Sequence, residues 1–238
     1  MSRSILQNHS LMFLVCVSFF GILLSALLAV FPPVLSEDFV WRKHVVGFVF
    51  GSICVLGILA AFFPNQCTNM LNLGKGEGFT LHGHFSKAGG HHPNCENFSP
   101  HVFRIGNRRM CVACTGLTIG GLVALVGTFL CFFADWHFER YAVLMVLAGL
   151  VGVSLGLFQF RVKQRFVRFS LNASFVLGAF LVLIGIDGLT QSLFADLFLV
   201  VLIVFWLFTR ISISQWDHKR ICYACSVAVC EFRKKGRG

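Results

Sequence analysis

The sequence predicts an all-α fold: a polytopic membrane bundle of six transmembrane helices, N-in and C-in, with a small Cys/His metal-binding module on the cytoplasmic face. Three observations predict it. The 238 residues are 56% hydrophobic and 13% charged, with 28 Phe and a mean hydropathy of +0.78, far from the balance of a water-soluble domain. Six apolar runs are long enough to cross a bilayer, which takes about 20 residues for a ~30 Å hydrocarbon core. The basic residues divide very unequally between the two sets of connections.

The first run, 11–34, has Arg3 and no acid before it and ends at Pro32-Pro33 without a small-x-small cleavage site. It reads as a retained span rather than a removed signal peptide. The second covers 45–63. The third, 114–134, begins on the second cysteine of Cys111-Val112-Ala113-Cys114 and carries Gly116 and Gly120. The fourth, 141–160, carries Gly152 and Gly156. Glycines four apart share one helix face and let a neighbouring backbone approach closely. The fifth, 169–186, holds Asn172 and Ser174, expected to make interhelical hydrogen bonds. Only 187–192 separates it from the sixth, 193–211, with Asp196 just inside. The chain thus divides into 1–63 (two spans), 64–113 (a cytoplasmic Cys/His-rich loop), 114–211 (four spans) and 212–238 (a cytoplasmic, Cys-rich basic tail).

Cytoplasmic flanks of spans retain Lys and Arg. With the N-terminus inside, seventeen of the twenty basic residues lie inside, and only Arg42, Lys43 and Arg140 lie outside. The expected location is the cell membrane, multi-pass. The formal charge of +10 then sits on one face, where it suits anionic lipid headgroups. Nucleic acid is not expected as a partner, since no groove-reading motif accompanies the basic residues. Acids are absent from the span centres, which argues against a proton relay.

Cys16, Cys54 and Cys131 fall within spans and read as small buried hydrophobes. The remaining cysteines gather on the cytoplasmic side. Cys111-Val112-Ala113-Cys114 and Cys222-Tyr223-Ala224-Cys225 are two Cys-x-x-Cys knuckles, a spacing that lets two thiolates of one turn grip a single ion. Around the first, Cys95 and His101 complete a three-cysteine, one-histidine set, with His92 among the spare ligands. Around the second stands Cys230, with His218 as a possible fourth ligand. The competing arrangement joins both knuckles in one four-cysteine site. In reducing cytosol a metal is favoured over lasting disulfides. Zinc leads, and an iron–sulfur cluster is the alternative, because thiolate-rich sets serve both. A dithiol redox pair is weaker, although a helix start depresses a thiol's pKa.

His92-Pro93-Asn94-Cys95, then His101, then Cys111-Val112-Ala113-Cys114-Thr115-Gly116-Leu117 resembles a known family. It is similar to the small multi-pass prokaryotic membrane proteins catalogued as domain of unknown function 2085, in their archaeal form. Their core is a Cys/His-bearing segment leading into a Cys-x-x-Cys-Thr-Gly knuckle and a glycine-rich membrane helix. The match is close over 91–121. It singles out Cys95, His101, Cys111, Cys114 and Gly116, and implies a Cys/His site there but no reaction.

The expected function is therefore a membrane protein with a cytoplasmic structural metal site. It would act as a structural, assembly or complex-forming subunit, with a membrane-complex partner or a second copy of itself. An iron–sulfur electron-transfer subunit and a metal-ion transporter or chaperone are the alternatives. Catalysis is not expected, since Glu77 and Glu96 are the only acids of the loop and neither lies in a His-Glu-x-x-His pattern.

Overall fold

In a computed structural model, residues 2–32, 41–62, 88–89, 101–105, 108–136, 138–162 and 164–223 are described. Six helices dominate: α1 (Ser2–Val30), α2 (Arg42–Phe62), α3 (Val112–Phe132), α4 (Ala142–Leu157), α5 (Arg165–Thr190) and α6 (Leu193–Tyr223). Each contains a stretch long and apolar enough to span a bilayer; for α4 the stretch takes in the following 3₁₀ turn, Phe158–Arg161. The chain is a multi-pass membrane protein with an all-α bundle, as the composition requires.

Helix ends differ from the apolar runs where polar residues continue the helix. Asp187 to Thr190, read as a linker, is the last turn of α5, and only Gln191 and Ser192 separate α5 from α6. Gln191 takes a left-handed conformation (φ 47°) that ends α5 and lets the chain reverse. At the other extreme α6 runs on well past Ile211, to Tyr223.

The loop also contributes a small sheet that the sequence did not suggest. Strands β1 (Ala88–Gly89), β2 (Val102–Ile105) and β3 (Arg108–Cys111) lie in the order β1-β3-β2. β2 and β3 are antiparallel, with Phe103 opposite Met110 and Val102 opposite Cys111. β3 feeds directly into α3, and Cys111 is the extended residue capping that helix (φ −67°, ψ 124°).

The glycines expected to pack closely do so. A Cβ on Gly116 would lie 2.5 Å from the Phe169 carbonyl oxygen, and one on Gly120 2.8 Å from that of Ala173, so α3 and α5 touch backbone to backbone. Between α4 and α5 the seam is as tight, with a Gly149 Cβ 2.5 Å from the Gly178 oxygen and a Gly152 Cβ 2.7 Å from that of Ser174. Such closeness is what drives helix association in lipid, where apolar contact alone offers no advantage over the acyl chains. The core runs from Phe50 and Phe132 through Phe175 and Leu183 to Leu199 and Trp206. Trp206 is fully buried and donates its indole N–H to the Ser18 carbonyl at 3.1 Å. Outward, Phe13, Phe20, Phe48, Phe129 and Leu144 are more than half exposed, the apolar surface a bilayer covers.

Asn172 corrects an expectation. Its amide donates to the Arg168 carbonyl of its own helix at 2.6 Å, and its buried Oδ1 has no partner among the described residues. Cys16, expected inside, is exposed, whereas Cys54 is buried.

Candidate functional site

The contacts of α1 with α6 are antiparallel (Ser18 with Thr209, Gly21 with Leu202), so the start of α1 and the end of α6 share one end of the bundle. That end also carries the Cys111 knuckle. β3 delivers Cys111 in an extended conformation, and one helical turn later α3 presents Cys114. Thr115 and Thr118 donate their hydroxyls to the carbonyls of Cys111 and Cys114, at 2.8 and 2.9 Å. The first turn of α3 contains no acid, so its unsatisfied N–H groups and positive dipole end are open to thiolate charge. Among the described residues the two cysteines are not joined by a disulfide.

Two arginines organise the surroundings. Arg168, in the first turn of α5, is buried and reaches three elements. Its Nη1 donates to His101 Nδ1 and lies 3.1 Å from His101 Nε2. Its Nη2 donates to the Val162 carbonyl at 3.2 Å and stands 3.6 Å from the Asp217 carboxylate of α6. A guanidinium only donates, so the His101 nitrogen facing it carries a lone pair and no proton. Consistently, burial first, then the charges of Arg168 and His218, push the His101 pKa down to about 3. The His101 and His218 rings meet edge to face, 5.6 Å between centroids.

Arg210 is the second. It is 3% exposed, lies over the Phe175 ring at 5.9 Å, and donates from Nη2 to Gln159 Oε1 at 3.3 Å. Among the described residues its Nε has no hydrogen-bond partner. Cys111 and Cys114 lie within its electrostatic reach. Both arginines belong to the basic set expected to face lipid headgroups, yet both turn into the bundle.

These groups form the polar rim of a cavity of about 570 Å³ between α2, α3, α5 and α6. Its rim holds His101, Cys111, Cys114, Arg168, Arg210 and Asp217, and its deeper walls are apolar, among them Phe50, Ile53, Phe175 and Ala179.

The structure therefore gathers three of the expected metal ligands, His101, Cys111 and Cys114, at one end of the bundle. His92, Cys95, Cys225 and Cys230 lie outside the described residues. Cys222 falls on the last turn of α6, where the backbone alone is described. Among the described residues, no three His, Cys, Asp or Glu side chains stand close enough to hold a metal ion. In this arrangement Arg168 lies across the His101 ring edge that carries both nitrogens, the groups a metal would need.

Sequence reasoning missed Arg168, Arg210 and Asp217 as members of the site. A signal existed: Arg210, Ser214, Asp217 and His218 repeat at helical spacing beyond the apolar run. Continuing the period through these polar residues would have extended α6 and placed all four on one face.

At the opposite end a second polar cluster is buried. Arg42, at the start of α2, uses Nη1 to bridge Asp187 of α5 and Asp196 of α6. Lys43 lies 3.8 Å from Asp135 at the surface beside it. The cluster ties three helices together and sits at the bundle end, not at mid-span.

No family model matches the chain, and neither does any curated protein or any solved structure.

Proposed function

We propose that the protein lies in the cell membrane with both termini in the cytosol. There its loop and tail close over the knuckle end of the bundle around a structural metal, zinc. It would serve as a structural, assembly or complex-forming subunit, with anionic headgroups meeting the exposed basic residues of that face. The similarity of 91–121 to the domain of unknown function 2085 proteins agrees with a Cys/His site there.

The observation that carries this reading is the length of α6. Because the helix continues to Tyr223, Asp217 and His218 reach the Cys111 side of the bundle. Cys222 follows His218 by four residues, one turn along the same face. That favours one shared site, with Cys111 and Cys114 as a fixed knuckle and Cys222 and Cys225 as its counterpart. Cys95, His92 and Cys230 are the remaining donors. His101, held by Arg168, braces the hairpin and becomes a ligand only if Arg168 releases it. Four thiolates suit zinc in a closed, tetrahedral, structural site. Binding would supply folding free energy to segments with little apolar surface of their own.

Elemental analysis of the purified protein tests the proposal. One zinc per chain, lost on Cys111→Ser alone and on Cys222→Ser alone, is expected of a shared site. Metal that survived both substitutions would sink it, and iron with acid-labile sulfide and a brown colour would replace it with the iron–sulfur reading.

A further inference from the structure

Arg210 poses a problem that the knuckle does not solve. It is 3% exposed, beside the end of the apolar run 193–211 of α6. A cation so withdrawn from water is costly unless paired. Among the described residues its hydrogen-bond and ring partners are neutral, the Gln159 oxygen and the Phe175 ring, its Nε has no hydrogen-bond partner, and the charges nearest it are those the Cys111 and Cys114 thiols would carry on ionising. The acid lining the cavity, Asp217, stands 3.6 Å from Arg168. The rim thus offers a buried guanidinium with, among the described residues, no carboxylate of its own.

The rest of the cavity is of another character. Below Arg210 the walls are hydrocarbon, from Ile53 and Ile58 of α2 to Ala179 of α5 and Ile203 and Leu207 of α6. At Gly57, which lines the same cavity, an added Cβ would meet nothing within 4 Å among the described residues, so there the α2 wall faces open space. About 570 Å³ is well within the range of roughly 300–1,000 Å³ typical of small-molecule sites. A polar cationic rim over an apolar shaft is complementary to a molecule with an anionic head and a hydrocarbon tail.

We propose that this cavity binds an acidic phospholipid of the surrounding bilayer, with its phosphate on Arg210 and an acyl chain along α2, α5 and α6. A guanidinium holds a phosphate through charge-assisted hydrogen bonds, and Arg210 lines the cavity where its polar rim meets the apolar shaft. The lipid enters from the membrane itself, so no aqueous crossing is required.

Native mass spectrometry of the full chain tests this, released from neutral detergent micelles holding equimolar phosphatidylglycerol and phosphatidylcholine with identical chains. One retained phosphatidylglycerol, preferred roughly tenfold or more, is expected, because charge-assisted contacts are the stronger kind. Arg210→Gln should abolish the preference with metal content unchanged, and Arg210→Lys should keep part of it. Ala179→Phe, which fills the shaft and leaves the rim intact, should lower retention of both lipids. Undiminished preference in Arg210→Gln overturns the proposal, as does loss of metal with preference retained, which would make Arg210 a partner of the thiolates. Inorganic phosphate displacing the lipid at equal concentration would reduce the site to a headgroup pocket and overturn it too. A photoactivatable acyl chain should label peptides of α2, α5 or α6. Labelling confined to the outer surface of α1 would mean the cavity is filled by the chain itself.

Discussion

Replacing Arg42 with methionine leaves Asp187 and Asp196 facing each other with no cation between them. In the native fold both carboxylates reach the same nitrogen, Nη1, and all three side chains are withdrawn from solvent, at 5% exposure for Arg42, 13% for Asp187 and 0% for Asp196. Removing one partner of a buried ion pair costs about 3–5 kcal/mol, because the remaining charge stays desolvated. At 1.4 kcal/mol per tenfold, the unfolded fraction should rise by roughly two to three and a half orders of magnitude. Asp196→Asn should cost far less, since Arg42 keeps Asp187 and the amide keeps an acceptor. Replacing all three with Met, Leu and Leu should recover most of the loss, as apolar substitutes for buried ionic triads do. The assay is equilibrium unfolding of the purified protein in mixed micelles with increasing dodecyl sulfate, followed by tryptophan fluorescence. A loss of under about 1 kcal/mol for Arg42→Met is the size seen for exposed pairs and would refute the buried-triad reasoning. A triple variant as unstable as the single would do the same.

Two further outcomes follow from packing and from the knuckle end. Gly149→Ala should destabilise by about 1–3 kcal/mol through overpacking, because its methyl meets backbone, the Gly178 oxygen at 2.5 Å and the Val182 nitrogen at 2.8 Å, which cannot swing aside. Gly57→Ala is the control and should be tolerated, and equal effects in the same unfolding assay would contradict the seam. His101 resists protonation in the fold, at about 3 against an ordinary 6.5. Its contribution to stability is therefore complete above pH 6.5 and is lost as pH falls from there toward 3. The stability of the native chain should decline more steeply than that of His101→Asn between pH 7 and 4, and parallel curves would rule His101 out as the cause.

The spans were legible because hydropathy reports the apolar middle of a helix, and in lipid that middle must be helical. Their ends were not, because a polar residue in a helix and one in a loop have the same hydropathy. Asp187 was read as linker for this reason and turned out to be a helical partner of Arg42. Charge counting carried a similar blind spot. It sorted Arg168 and Arg210 to one side, and both do lie at one end of the bundle, but a count says nothing about whether a guanidinium faces water or folds inward. The hairpin went unseen because Val102–Ile105 and Arg108–Cys111 are too short for a strand period to emerge, and their cysteine and histidine invited a reading as ligand spacing. That spacing did locate Cys111 and Cys114 at a helix mouth with His101 nearby. Arg168 is the addition only the fold could supply, since its partners come from the hairpin, the α4–α5 link and α6.

The hydrogen bond between Ser18 and Thr209 joins residues 191 positions apart in the chain, at 2.9 Å. Ser25 is satisfied within α1 by the Gly21 carbonyl, at 2.9 Å, but Ser18 donates to a hydroxyl on α6. At roughly 5–20 residues per second of synthesis, the first helix made waits about 10 to 40 s for the last. During that interval α1 exposes to lipid, or to a biogenesis factor, the face that Thr209 and Trp206 will later cover. The ribosome must therefore finish α6 before the bundle can close, and a chain truncated ahead of α6 would display an unsealed α1 to membrane quality control.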